Sequence, residues 1–139
     1  MTKQLSVFLE NRAGRVNTLL EILKENDINI LSMTIADTGE FGVVRMITDD
    51  IKKALNALND AGMIVSETRV IAIEVLDEAG GLYDATKLLS ENDINIEYMY
   101  SAVRSAQGRA VIIMRVDDIS KAEKIISEHE NGVRLTQIK

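Results

Sequence analysis

The chain has 139 residues but no cysteine, no proline and no tryptophan, only one histidine, and three Tyr and two Phe. Each scarcity closes off a class of function. Without cysteine there is no disulfide scaffold, thiolate zinc site, thiol nucleophile or iron–sulfur cluster. One histidine excludes multi-histidine metal centres and leaves little scope for imidazole catalysis. No apolar run approaches the roughly 18 residues of a membrane-spanning helix. Met1-Thr2-Lys3-Gln4-Leu5-Ser6 has no signal-peptide core, so the expected location is the cytoplasm. The net charge of −6, with a pI near 4.8, argues against the clustered Lys and Arg of a nucleic-acid footprint.

What is present is ample core material, 46% hydrophobic residues, and a repeat. Glu25-Asn26-Asp27-Ile28-Asn29-Ile30 recurs letter for letter as Glu91-Asn92-Asp93-Ile94-Asn95-Ile96. At the same offset Ala13-Gly14 matches Ala79-Gly80, Leu23 matches Leu89, Met33 matches Met99 and Ala36 matches Ala102. Asp49-Asp50-Ile51 then matches Asp117-Asp118-Ile119 after two extra residues, most simply placed in the turn 103–108. Self-similarity of this kind is duplication. It divides the chain into domains 1–69 and 70–139.

Each copy reads as β-α-β-β-α-β. Leu5, Val7 and Leu9 alternate as a half-buried strand, as Ile71 and Ile73 do in the second copy. Val16, Leu19, Leu20 and Leu23 have helical spacing, with Leu82, Ala85, Leu88 and Leu89 as counterparts. The Glu-Asn-Asp string ends each helix. A strand over 28–37, a turn at 37–40 and a strand over 42–48 form a hairpin. Asp49 or Asp50 caps a second helix carrying Ile51, Ala54, Leu55 and Leu58 inward, and Met63 to Glu67 closes the unit. The expected fold class is α+β: two tandem βαββαβ ferredoxin-like units, each an antiparallel sheet with its helices on one face.

Two constellations could hold a ligand. The strand–helix turns are Asn11-Arg12-Ala13-Gly14-Arg15 and Asp77-Glu78-Ala79-Gly80-Gly81. Glycine permits close approach, and the helix beginning there offers free N–H groups to a carboxylate. Asn11 or Asp77 could accept from an ammonium, which together would suit an α-amino acid; equally, they could be turn formers. Asn29-Ile30 and Asn95-Ile96 open the next strand, where the asparagine could meet a ligand or pin the chain. Tyr98 and Tyr100 share a strand face and suit a pocket lining or a covered surface. The Asp49-Asp50 and Asp117-Asp118 pairs read as helix caps rather than a cation site, and His129 as a helix-end residue.

The recurring pattern Asn/Asp-x-x-Gly-x-hydrophobic, a helix, then Asn-Ile opening a strand resembles the ACT domain, twice over the chain. ACT domains are small regulatory modules, usually attached to enzymes of amino-acid metabolism. The resemblance implies an amino acid bound where two such domains pair, with the turn on one side and the strand start on the other. Carried over, it points to Asn11, Ala13, Gly14, Asn29 and Ile30, and to Asp77, Ala79, Gly80, Asn95 and Ile96. Here Ala13 and Ala79 stand where the family often has proline. The expected function is a free-standing, non-enzymatic amino-acid-binding regulator of a metabolic partner, acting as a dimer or with a partner enzyme. No catalytic residue, metal, cofactor, nucleic acid or membrane is expected. The alternative is a ligand-independent protein–protein assembly module.

Overall fold

The computed structural model describes residues 2–37, 39–102, 107–129 and 132–138. It is α+β, with two βαββαβ units, Lys3–Thr68 and Arg69–Ile138. The first contains β1 (Thr2–Glu10), α1 (Arg15–Glu25), β2 (Ile30–Asp37), β3 (Phe41–Thr48), α2 (Ile51–Asp60) and the start of β4 (Ile64–Leu76). The second continues along β4 and adds α3 (Gly81–Glu91), β5 (Ile96–Ser101), β6 (Arg109–Val116), α4 (Ile119–Glu128) and the short β7 (Arg134–Leu135).

The strand orders correspond. In the first unit β3 lies between β2 and β1, and β1 is next to β4. In the second, β6 lies between β5 and β4, and β7 pairs with β4. Leu5 pairs with Met46 and Val7 with Val44; Ile71 pairs with Met114 and Ile73 with Ile112. All eight side chains are buried on the helix-bearing faces. Strand alternation therefore builds one wall of each core.

The helices supply the other wall. Leu19 and Leu23 of α1 and Ala54 and Leu58 of α2 close the first core, with Val16, Leu20, Ile51 and Leu55 partly buried beside them. Ala85, Leu89, Ala122 and Ile126 do the same in the second. Full burial of one such Leu or Ile contributes about 1.5–3 kcal/mol, so each unit rests on its own apolar cluster.

The identical hexapeptide is explained by its bonds. Asn26 donates its side-chain amide to Ile22 O at 2.8 Å, and Asn92 to Leu88 O at 2.8 Å. Asp27 and Asp93 take left-handed backbone, φ 54° and 59°, which Asp tolerates better than most residues. Ile28 N then donates to Leu23 O at 2.9 Å, and Ile94 N to Leu89 O at 3.0 Å, closing each helix end with its isoleucine in the core.

The turn holding the two extra residues lies partly outside the described residues. Its flanks fix the insertion all the same: Ala36 pairs with Val43, and Ala102 N donates to Val111 O at 2.9 Å. Among the described residues no helix is long and apolar enough to cross a membrane.

Candidate functional site

Four helices begin in two different ways. At α2, Asp50 accepts from Lys53 N at 3.1 Å, and at α4, Asp118 accepts from Lys121 N at 3.0 Å. These are ordinary side-chain caps. At α1 and α3 the residue before the helix is Gly14 or Gly80, with φ 89° and 87°, and no side chain caps the first amides. A positive φ here favours glycine, and its lack of a side chain leaves the helix end open. Both turns are solvent-exposed. Arg15 N and Gly81 N turn back onto Arg12 O at 3.4 Å and Glu78 O at 3.0 Å, so what remains for an anion is the positive dipole end and the amides that follow them.

The second constellation lies elsewhere in each unit. Asn29 and Ile30 follow the C-terminal end of α1, whereas Asn11, Ala13 and Gly14 precede its start. An 11-residue helix is about 16 Å long, so α1 separates the two groups within its unit. The same holds for Asp77, Ala79 and Gly80 against Asn95 and Ile96 across α3. The structure thus places the two candidate groups at opposite ends of each first helix.

Each strand start is clasped in both directions. Asn29 N donates to Asp49 Oδ1 at 3.1 Å, and Asp49 N donates to Asn29 O at 3.0 Å. Asn95 N donates to Asp117 Oδ1 at 3.0 Å, and Asp117 N to Asn95 O at 3.1 Å. The backbone of each asparagine is pinned while its residue stays exposed. The two aspartates of each pair therefore have separate tasks: the first clasps the strand start, the second caps the next helix. The capping role is legible from the position of each pair before its helix; the clasp is a long-range contact that this position does not reveal. The signal was there in the matched recurrence of Asn29 with Asp49 and Asn95 with Asp117.

The turns themselves are not equivalent. Asn11 donates its side-chain amide to Gly39 O at 2.9 Å and to Asp37 Oδ1 at 3.3 Å, tying the turn to the β2–β3 hairpin. Both turns share a backbone bond to the hairpin, Asn11 N to Glu40 O at 2.8 Å and Asp77 N to Gly108 O at 3.0 Å, but Asp77 has no side-chain donor, and its carboxylate has no hydrogen-bond partner among the described residues. The next difference is at the first helical position. Arg15 stands at α1, with a buried Nε that has no partner among the described residues. Gly81 stands at α3, and a Cβ there would lie 1.9 Å from Leu76 O. The first turn carries Arg12 and Arg15, and the second carries Asp77 and Glu78, with Asp84 in the first turn of α3.

Tyr98 and Tyr100 are half-buried on one face of β5, opposite Arg115 and Ile113 in register. His129 is the C-cap of α4. Among the described residues no group of three or more His, Cys, Asp or Glu is arranged to hold a metal ion.

Comparison with known proteins agrees with this architecture. The chain is similar to protein BT0572 from Bacteroides thetaiotaomicron, with 34% identity over 97% of this chain and 91% of that one, and a TM-score of 0.89. It also shares the fold of the regulatory subunit of aspartate kinase from Thermus thermophilus, at 12% identity, 91% of each chain and a TM-score of 0.68. The corresponding subunit from Thermus flavus gives 14% identity over 88% of this chain and 86% of that chain, with a TM-score of 0.63. No match was found among curated proteins. The model of the ACT domain pair family matches residues 1–134, and with its two βαββαβ units this chain belongs to that family.

Proposed function

We propose that this protein is a non-enzymatic regulator that binds an amino acid where ACT units pair, and through that binding alters the activity of a metabolic partner. The observation that carries the reading is the contrast among helix starts. Two are capped by aspartate, while the two that follow the family's turn are left uncapped behind a left-handed glycine. An open helix end is suited to the α-carboxylate. The ligand-binding set remains Asn11, Ala13, Gly14, Asn29 and Ile30 with Asp77, Ala79, Gly80, Asn95 and Ile96, in units 1–69 and 70–139. Because a helix separates turn from strand start within a unit, one small ligand reaches both kinds of half-site only when they come from different units.

In this reading the second turn is the better receptor for a zwitterion. Asp77 can accept from the ammonium while α3 takes the carboxylate. Asn11, whose amide is committed to the hairpin, is chiefly a structural tie. The kinship of fold with regulatory subunits of aspartate kinase makes an enzyme of amino-acid metabolism a reasonable partner. Isothermal titration against the twenty amino acids tests the proposal. Binding tighter than millimolar that is weakened by Asp77→Ala is expected. If no amino acid binds in that range, the reading fails.

Ligand-independent assembly is a second reading, favoured by Phe8 and Phe41, each 49% exposed. Co-purification with a partner enzyme that is insensitive to amino acids would support it.

A further inference from the structure

A cavity of about 490 Å³ lies within the second unit, between the outer face of α3 and the start of β5. It is an open, shallow groove along the helix rather than an enclosed cleft. Tyr83, Thr86, Lys87 and Ser90 line it from α3. Their spacing of three, four and seven residues makes a single stripe along the helix. Ile94, Asn95 and Ile96 complete the lining. Ile94 is 5% exposed and supplies an apolar floor, and the Asn95 backbone is fixed by Asp117.

The chemistry of this lining is specific. Lys87 is the one charged side chain among the described lining residues. Its ammonium carries three donors and no acceptor. Its ion pair with Glu91 is long, 3.9 Å, and both side chains are more than half exposed, so it is readily exchanged for a better anion. Thr86 Oγ1 donates to Tyr83 O at 3.1 Å, which leaves the hydroxyl oxygen able to accept. A cation, hydroxyls and an amide above an isoleucine floor suit a carboxylate on a short aliphatic stem.

The duplication supplies a built-in control. The matching stripe on α1 is Asn17, Leu20, Glu21 and Lys24, with charge reversed where α3 has Lys87. The strand starts and helix ends are conserved between the units, whereas this stripe is not.

We propose that the α3–β5 groove receives the side-chain carboxylate of an acidic amino acid, with Lys87 as its ion-pair partner. This rests on the amino-acid-binding reading above and names the class of ligand. Affinities of L-glutamate, L-glutamine and glutarate for the full chain test it, measured by calorimetry and by amide chemical shifts of residues 86–96. L-glutamate should bind about fivefold tighter than its isosteric amide, the scale of one exposed ion pair. Lys87→Met should bring that ratio to about one, and Lys87→Arg should restore it. Both variants change an exposed helical position to another good helix former, so folding should be retained.

Equal binding of L-glutamate and L-glutamine, or a preference unchanged by Lys87→Met, overturns the proposal while leaving amino-acid binding intact. Glutarate binding that is lost in Lys87→Met, with no amino acid bound, overturns this proposal together with the wider reading and leaves only an anion groove. If none of the three compounds binds, this proposal falls.

Discussion

The two units carry the same hexapeptide and make the same bonds with it, yet the turns before their first helices are built differently. Where the copies agree, each residue has a task that no neighbour can take over: an amide on a helix carbonyl, a left-handed backbone, an isoleucine in the core, a clasped strand start. Where they differ, the residues sit at helix starts and on outer faces, with freedom to serve a ligand or a local tie. Duplication has kept the framework and let the surfaces around it diverge. The first turn is held by Asn11 and flanked by arginines. The second is acidic and packed more closely against its strand.

Exchanging residues between copies tests that distinction. The largest effect is expected at the first helical position. Gly81→Ala should destabilise the chain by about 3 kcal/mol, because its Cβ would meet the Leu76 carbonyl at 1.9 Å and the backbone must move. Arg15→Ala at the matching position should cost under about 0.5 kcal/mol. Urea unfolding of both variants would show the contrast. Similar losses would mean that the two turns are equally packed.

The next effect belongs to Thr48 and Val116, which hold equivalent places at the ends of β3 and β6. Thr48 is 6% exposed and its hydroxyl has no partner among the described residues; Val116 is fully buried. Val116→Thr should destabilise by about 2 kcal/mol through burial of an unpaired hydroxyl. Thr48→Val should stabilise by about 1 kcal/mol for the same reason in reverse. A stability loss in Thr48→Val would show that the hydroxyl has found a bond.

The clasps, by contrast, should behave alike. Asp49→Ala and Asp117→Ala should each cost about 1 kcal/mol, since each leaves an asparagine N–H without its acceptor. Asp49→Asn and Asp117→Asn keep an oxygen in place and should stay close to the native value. Accelerated amide exchange at Asn29 or Asn95 in the alanine variants would locate the loss.

The smallest effect concerns the turn tie. Asn11→Asp places a carboxylate beside Asp37 and removes the donor to Gly39, for an expected loss of about 0.5 kcal/mol that grows at low salt. Asp77→Asn should bring no such loss. If the two substitutions act equally on thermal stability, the proposed difference between the ties is wrong.

Much of this molecule was legible in one dimension. Apolar spacing identified both strands and helices, because a residue's face is set by a local period of two or 3.6. Asp50 and Asp118 could be read as caps because a cap bonds its own helix three residues on. Asn11 was harder. Nothing near it in sequence reveals that its amide reaches Asp37 and Gly39, 26 and 28 residues away. The Asp49 clasp on Asn29 spans 20 residues and was masked by the simpler capping role of the pair.

The sequence by itself determined the duplicated βαββαβ framework and the residue types of both candidate half-sites, since periodicity, helix-end chemistry and self-similarity are properties of neighbouring residues. Only the tertiary structure decided that α1 and α3 begin uncapped and that turn and strand start stand at opposite ends of a helix. It alone showed that the Asn11 side chain is tied while the Asp77 carboxylate has no hydrogen-bond partner among the described residues, and that the α3 stripe lines an open groove. Those outcomes depend on where distant backbone groups come to rest, and chain folding brings together donors and acceptors whose separation in sequence carries no local signature.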